Sequence, residues 1–197
     1  MIALFVSTFI KFFFLLTPFF VLSTFLAMTR DHAPGRRTAL AVKVTLAVLI
    51  VSVVILVAGN FVFAVFGITL DAFRIGTGVL LMLTAVNMVR GNEEPETSTG
   101  DNLAVVPLAI PITVGPATTG ALLVIGAESH NPAELAVQIA ALVLAIAATG
   151  VILLSGSAIE RFLGKRGLTI LTKITGLILA ALAAQLIMNG IKAFLFP

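Results

Sequence analysis

The stretch from Ala109 to Leu123, AIPITVGPATTGALL, places two prolines and a glycine inside an apolar run. Pro111 and Pro116 would each disturb a helix, because proline lacks a backbone N–H and crowds the carbonyl four residues earlier. In a bilayer each unsatisfied backbone group costs several kcal/mol unless protein or water replaces its partner. Since proline suits the first position of a helix, Gly115–Pro116 predicts that a second half-helix begins here.

The start of this half-helix is predicted to bind a ligand. The N–H groups of its first turn form the positive end of a helix dipole and favour an anionic group. Neighbouring threonine hydroxyls add further donors and acceptors. The predicted ligand groups are the N–H groups of Ala117, Thr118 and Thr119, expected to be unpaired, and the hydroxyls of Thr113, Thr118 and Thr119.

The composition is that of an integral membrane protein. The chain of 197 residues is 59% hydrophobic and 11% charged, whereas a soluble domain is about 45–50% apolar and about 25% charged. Cysteine is absent, which excludes disulfides and thiolate metal sites. No ATP-binding motif, metal-ligand cluster or hydrolase triad is present, so we expect neither an enzyme nor a cofactor. The N-terminus is interpreted as a retained first span.

Breaks at charged or Gly/Pro-rich points divide the chain into six candidate transmembrane helices. They cover residues 2–28, 40–66, 72–89, 103–127, 134–158 and 169–191. Nine Lys and Arg residues follow spans one, three and five, against two (Arg74 and Lys192) on the opposite side. The positive-inside rule therefore predicts that both termini lie outside the cytoplasm. The basic charge thus reflects topology, and nucleic acid is not an expected partner.

The two halves of the chain resemble each other at an offset of about 98 residues. TPFFVLSTFLAMT, from Thr17, resembles GPATTGALLVIGA, from Gly115, and FRIGTGVLLMLTAVNMVRG, from Phe73, resembles LTKITGLILAALAAQLIMNG, from Leu171. Because each half has three spans, the second half must be inverted in the membrane, which is typical of secondary transporters. The predicted organisation is a first repeat (1–90), an acidic cytoplasmic linker (91–102) and a second, inverted repeat (103–197).

The first half repeats the broken helix. Thr17 is a good N-cap and Pro18 a good first helical residue, yet both lie in the middle of span one. The pseudo-twofold axis would place the two half-helix starts opposite each other near the bilayer midplane. Proline kinks and Ser/Thr residues that join helices are the alternative interpretation. The predicted binding residues are Thr17, Pro18, Ser23, Thr24, Asn87, Thr113, Gly115, Pro116, Thr118, Thr119 and Gln185.

The other polar residues inside the spans leave two interpretations open. Asn87 and Gln185 occupy equivalent positions in spans three and six, where they join helices by hydrogen bonds or contact a ligand. Lys11 either reaches the headgroups from the outer part of span one or contacts a solute there. Asp71 and Arg74, three residues apart, are expected to form a surface pair that contributes little.

The chain resembles the MarC family of bacterial inner-membrane proteins, which includes the SnatA-type small neutral amino acid transporters. The resemblance rests on FGITLDAFRIGTGVLLMLTAVNMVRGN, from Phe66, on PLAIPITVGPATT, from Pro107, and on the closing LTKITGLILAALAAQLIMNGI. It implies an inner-membrane transporter of a small zwitterionic solute. Many family members have Asp-Pro followed by Gly-Asn in span one, whereas Thr17-Pro18 is followed here by Phe19, Phe20 and Val21.

The sequence therefore predicts a secondary transporter of glycine- or alanine-like solutes that works by alternating access between its two halves. Membrane lipid is an expected partner, and the sequence leaves a homo-oligomer open. Two alternatives remain: a channel or exporter for another small solute or ion, and a membrane scaffold that transports nothing.

Overall fold

The computed structural model describes residues 2–91, 113–129 and 131–196, and nearly all of them are helical. Five helical stretches are long and apolar enough to cross a bilayer, when the first two helices are taken together as Ile2–Met28. The prediction of an all-α chain with several membrane-crossing helices is confirmed. The helices in these ranges, which contain no strand, are α1 (Ile2–Leu15), α2 (Pro18–Met28), α3 (Pro34–Phe66), α4 (Leu70–Arg90), α5 (Pro116–Ala127), α6 (Pro132–Leu154) and α7 (Gly156–Leu195).

Part of the predicted organisation lies outside the described residues. This applies to positions 92–112, which include most of the acidic linker and the first part of the fourth span, with Pro107 and Pro111. The second part of that span is α5, a helix of 12 residues. The six-span count, the division into two repeats and the linker therefore stay predictions.

The fifth and sixth spans have different boundaries from those predicted. The fifth ends at Leu154 rather than at residue 158, and α7 begins at Gly156 rather than at residue 169. Inside α7, Gly164 adopts φ 66° and ψ 173° and separates a short helical segment, Gly156–Leu163, from the long one. Glycine adopts positive φ without the steric penalty that a Cβ brings. A search for apolar runs misses this short segment because it carries charged residues.

The two ends of the bundle differ in the groups that close them. At one end, called the Arg37 end, Arg37 near the start of α3 donates hydrogen bonds to the carbonyl of Thr29 at 3.0 Å and to Ser157 Oγ at 2.8 Å. At the other, called the Glu128 end, Arg74 of α4 pairs with Glu128, which follows α5. Each end thus has an arginine that joins segments distant in sequence.

The helices pack mainly across the two predicted halves. The most extensive helix pairs are α4 with α7, α3 with α5, α1 with α6 and α3 with α6, and each joins one helix from each half. Glycines allow the closest approach: a Cβ on Gly59 would lie 2.5 Å from the carbonyl oxygen of Leu123, and one on Gly126 would fall on that of Leu56. The two halves therefore interlock.

Large apolar side chains cover the outer surface of α3. Ile50, Val54 and Phe61 are 64%, 61% and 72% exposed. The opposite face of the helix, which includes Val48 and Leu56, is buried. Exposed apolar rows of this length are unusual on soluble proteins, and they suit contact with lipid tails.

Substitution of Gly126 by Ala is expected to destabilise the protein by about 1–3 kcal/mol, since the new Cβ would overlap the backbone of α3. Gly76→Ala on α4 is the control, because a Cβ there would have no neighbour within 4 Å. Unfolding of the purified variants in detergent, by heat or by SDS titration, measures the difference. Equal unfolding midpoints for the two variants would contradict the close α3–α5 crossing.

Candidate functional site

The first span is broken between Leu15 and Pro18. Thr17, which is 6% exposed, adopts φ 46° and ψ 55°, a left-handed conformation unusual for a β-branched residue. Its N–H donates to the carbonyl of Phe14 at 3.0 Å, one residue short of the helical spacing. Pro18 then starts α2 as its first residue. The predicted break of this span at Thr17–Pro18 is confirmed.

The start of α5 has the predicted form with one correction. Gly115 is the N-cap in an extended conformation and Pro116 is the first helical residue. The N–H of Thr119, however, donates to the carbonyl of Gly115 at 2.8 Å. The prediction that this N–H is unpaired was wrong: Thr119 is the fourth residue of the helix, the first whose N–H lies one full turn from the N-cap and can donate to its carbonyl. The N–H groups of Ala117 and Thr118 lack an intrahelical acceptor.

The two half-helix starts lie next to each other. The hydroxyl of Thr118 donates a long hydrogen bond of 3.5 Å to the carbonyl of Leu15, the last residue of α1. From the Glu128 end, α1 runs 14 residues to its break and α5 covers 12 residues, or about 21 Å and about 18 Å. A bilayer including its headgroup regions is about 40–45 Å thick, so helices of these lengths that start at one surface end near its middle. From there α2 and α5 run toward opposite ends.

A small cavity of about 70 Å³ opens at the Glu128 end. Its apolar wall includes Leu15, so it extends from Glu128 to the break in the first span. This volume is well below the range of drug-sized ligand sites, about 300–1,000 Å³, so only a small solute fits. The residues that line it are Lys11, Leu15, Leu81, Ala121, Ile125, Glu128, Leu182, Gln185, Leu186 and Asn189.

Two further cavities lie toward the Arg37 end and share Ser23 and Thr169 in their walls. One, of about 200 Å³, reaches Phe20 and Thr24 on the first turns of α2. The other, of about 430 Å³, is lined by Arg30, Arg37, Glu160 and Lys165 among others. Leu15 lines the cavity at the Glu128 end, and Phe20 lines a cavity toward the Arg37 end. Only four residues separate them along the chain, and three of these, Leu16, Thr17 and Pro18, are buried.

The charges at the Glu128 end form a three-residue group. Arg74 donates from Nε at 3.0 Å and from a terminal nitrogen at 2.8 Å to the same oxygen of Glu128, Oε1. Its other terminal nitrogen lies 2.5 Å from Asp71 Oδ1. The sequence predicted the pair with Asp71 but not the bond to Glu128. Because the Arg74 side chain is only 18% exposed, water screens this group less than an open surface pair.

Comparison with known proteins identifies the family of this chain. The family model described as MarC family integral membrane protein matches residues 2–195. The chain belongs to the MarC family. Similar relatives include UPF0056 membrane protein MJ1677 of Methanocaldococcus jannaschii, 37% identical over 70% of this chain and 71% of that protein. UPF0056 inner membrane protein YhgN of Escherichia coli K12 is 33% identical, over 71% of this chain and 72% of that protein. No solved structure matches.

The structure groups several predicted site residues of this MarC protein around the two breaks. Thr17, Pro18 and Thr118 are buried there, Gly115 and Thr119 are half-buried, and Pro116 is exposed. Ser23 and Thr24 line the cavities toward the Arg37 end. Ligand binding by these residues stays a prediction.

Three predicted residues lie elsewhere. Thr113 is buried and lines a separate, very small cavity of about 10 Å³ together with Val21 and Thr149. Asn87 is exposed on α4 and is absent from the walls of the cavities named above, whereas its counterpart Gln185 lines the cavity at the Glu128 end.

Sequence reasoning missed Glu128 and Asn189, which also line the cavity at the Glu128 end. The signal for Glu128 was its position directly after the broken fourth span. Within residues 2–91, 113–129 and 131–196, no group of three His, Asp or Glu side chains could hold a metal ion.

Thr17→Gly tests the left-handed conformation at the break. Because that conformation costs a residue with a Cβ about 1–2 kcal/mol, glycine should be tolerated or stabilising at this position. The matched control is Thr8→Gly, since Thr8 is equally buried but lies inside α1, where glycine costs about 1 kcal/mol. We expect Thr8→Gly to be the more destabilising of the two by about 2 kcal/mol, measured by unfolding in detergent. The reverse order would contradict a left-handed residue 17.

Proposed function

We propose that this MarC protein is a secondary transporter of small neutral amino acids, similar in size to glycine or alanine, that works by alternating access. The observation that carries the proposal is the thin buried layer at the break, Leu16–Pro18, which separates cavities that extend from opposite ends. A carrier needs two vestibules and a barrier that a small movement can transfer from one side to the other. A channel needs a continuous path, and the described residues offer a barrier instead.

The proposed inverted repeat is supported by a reciprocal contact. A Cβ on Gly78 would lie 3.0 Å from the carbonyl oxygen of Ala183, and one on Gly176 would lie 3.1 Å from that of Ala85. In each pair the two residues are 98 positions apart: Gly78 corresponds to Gly176, and Ala85 to Ala183. Such an exchange of equivalent contacts is what a twofold axis between α4 and α7 produces. Transporters with inverted repeats place their substrate site where the repeats meet.

The oriented half-helices suit a zwitterion. The unpaired N–H groups at the start of α5 favour a carboxylate, and carbonyls released at the break accept hydrogen bonds from an ammonium. The membrane orientation that we propose follows from the charges: the Arg37 end faces the cytoplasm and both termini lie outside it. YhgN, which is named an inner membrane protein, supports that membrane as the location.

Ligand-dependent stability tests the substrate. Alanine or glycine at 100 times its Kd should stabilise the purified protein by about 2.7 kcal/mol. Thr118→Val should weaken this gain, because the hydroxyl at the meeting point of the breaks is lost. Thr84→Val is the control, since that hydroxyl bonds only to the carbonyl of Leu80 in its own helix. A parent protein that no neutral amino acid stabilises would overturn the amino acid assignment.

Alternating access can be tested with single cysteines, because the natural chain contains none. Ala121→Cys places a thiol in the cavity at the Glu128 end, and Ala27→Cys places one in the large cavity at the Arg37 end. In proteoliposomes, a saturating amino acid should change the rates of modification by an impermeant thiol reagent in opposite directions. Rates that rise or fall together at both positions would favour a channel.

A further inference from the structure

The cavity at the Glu128 end contains one positive and one negative side chain. Lys11 of α1 and Glu128 after α5 line the same space, together with the amides of Gln185 and Asn189 on α7. The remaining lining residues are apolar, and Leu15 among them reaches the break. The polar groups therefore come from three different segments around one cavity.

The carboxylate in this cavity is held in place by Arg74. Both hydrogen bonds from Arg74 go to Oε1, at 2.8 and 3.0 Å. Among the described residues, no donor contacts the second oxygen, Oε2. The remaining terminal nitrogen of Arg74 pairs with Asp71. Lys11 makes no salt bridge with any described residue and is exposed at the cavity.

We infer that this cavity is a recognition site for a zwitterion, in which Lys11 binds the carboxylate and Glu128 Oε2 accepts hydrogen bonds from the ammonium. This inference rests on the proposed function and assigns to it two specificity-determining residues. A simple anion would use only Lys11, and a simple cation only Glu128. A solute with both charges pairs with both groups at once.

The same arrangement explains how the protein binds an ammonium although span one has Thr17 before Pro18. The acidic group is supplied by the end of α5, about 18 Å from the break by the length of that helix. The solute is therefore bound first near the mouth of the cavity. Leu15, Leu81, Ala121 and Ile125 leave room for a small apolar side chain on that solute.

The test compares alanine with two analogues that each lack one charge: ethylamine, without the carboxylate, and propionate, without the ammonium. Equilibrium binding is measured on the purified full-length chain in lipid nanodiscs. The parent should bind alanine at least tenfold more tightly than either analogue. Lys11→Met should reduce the affinity for alanine about ten- to a hundredfold and leave the affinity for ethylamine unchanged. Glu128→Gln should reduce the affinity for alanine by a similar factor and leave the affinity for propionate unchanged.

Matched controls separate recognition from stability. Asp71→Asn removes the other acidic partner of Arg74 without touching the cavity wall, and Lys192→Met removes a lysine near the end of α7 that does not line this cavity. Both should bind alanine like the parent. If Asp71→Asn weakens binding as much as Glu128→Gln does, the effect belongs to the Arg74 group and the inference is overturned.

The failure of this inference can be distinguished from failure of the proposed function. If the parent binds alanine and Lys11→Met and Glu128→Gln bind it equally well, the outer site is overturned while amino acid transport stands. If the parent binds no alanine, the proposed function fails and the zwitterion site fails with it. The site is supported if both variants bind alanine more weakly, Lys11→Met binds ethylamine like the parent, and Glu128→Gln binds propionate like the parent.

Discussion

The bilayer offers no water to backbone groups, and this constraint governs the middle of the molecule. Prolines at the starts of α2 and α5 leave N–H and carbonyl groups without helical partners at the depth where replacement is hardest. Part of the deficit is met within the protein: Thr17 N–H donates to Phe14, and the hydroxyl of Thr118 donates to the released carbonyl of Leu15. The rest of the structure surrounds these two points. Cavities reach the two sides of the first break, at Leu15 from one end and at Phe20 from the other.

The arginines have different partners at the two ends of the bundle, and this difference matters for movement. Arg37 donates to two neutral oxygens, of Thr29 and Ser157, and thereby joins the end of α2 to the start of α7. Arg74 has two carboxylates, and one of them, Glu128, also lines a cavity. In the proposed zwitterion site, a cationic group would share Glu128 with Arg74 and would thereby link solute binding to the contact between α4 and α5. No comparable link follows from the neutral partners of Arg37.

The break in span one could be predicted from sequence because it depends on local chemistry: proline after a good N-cap fixes where a half-helix starts. The left-handed backbone of Thr17 could not, since a β-branched residue rarely adopts it and only surrounding packing imposes it. Composition likewise predicts membrane helices, but charged residues near Gly164 conceal the short helix that precedes it. The bond between Arg74 and Glu128 joins residues 54 apart, and such a pair depends on how α4 and α5 pack. Asn87 and Gln185 show the same limit, because equivalent positions in the two predicted repeats have different surroundings.

The packing also decides which parts can move together. The sequence suggests that one three-span half moves against the other, yet the most extensive helix pairs cross between the halves. The glycine crossing of α3 and α5 brings their backbones too close for either helix to slide without the other. The pair α3–α5 therefore moves as one unit, with one helix from each half. Thr118 belongs to this unit and Leu15 of α1 does not, and the hydrogen bond between them is long, at 3.5 Å. Movement at this contact would shift the barrier from one cavity to the other, so the two broken helices would serve both as binding site and as gate.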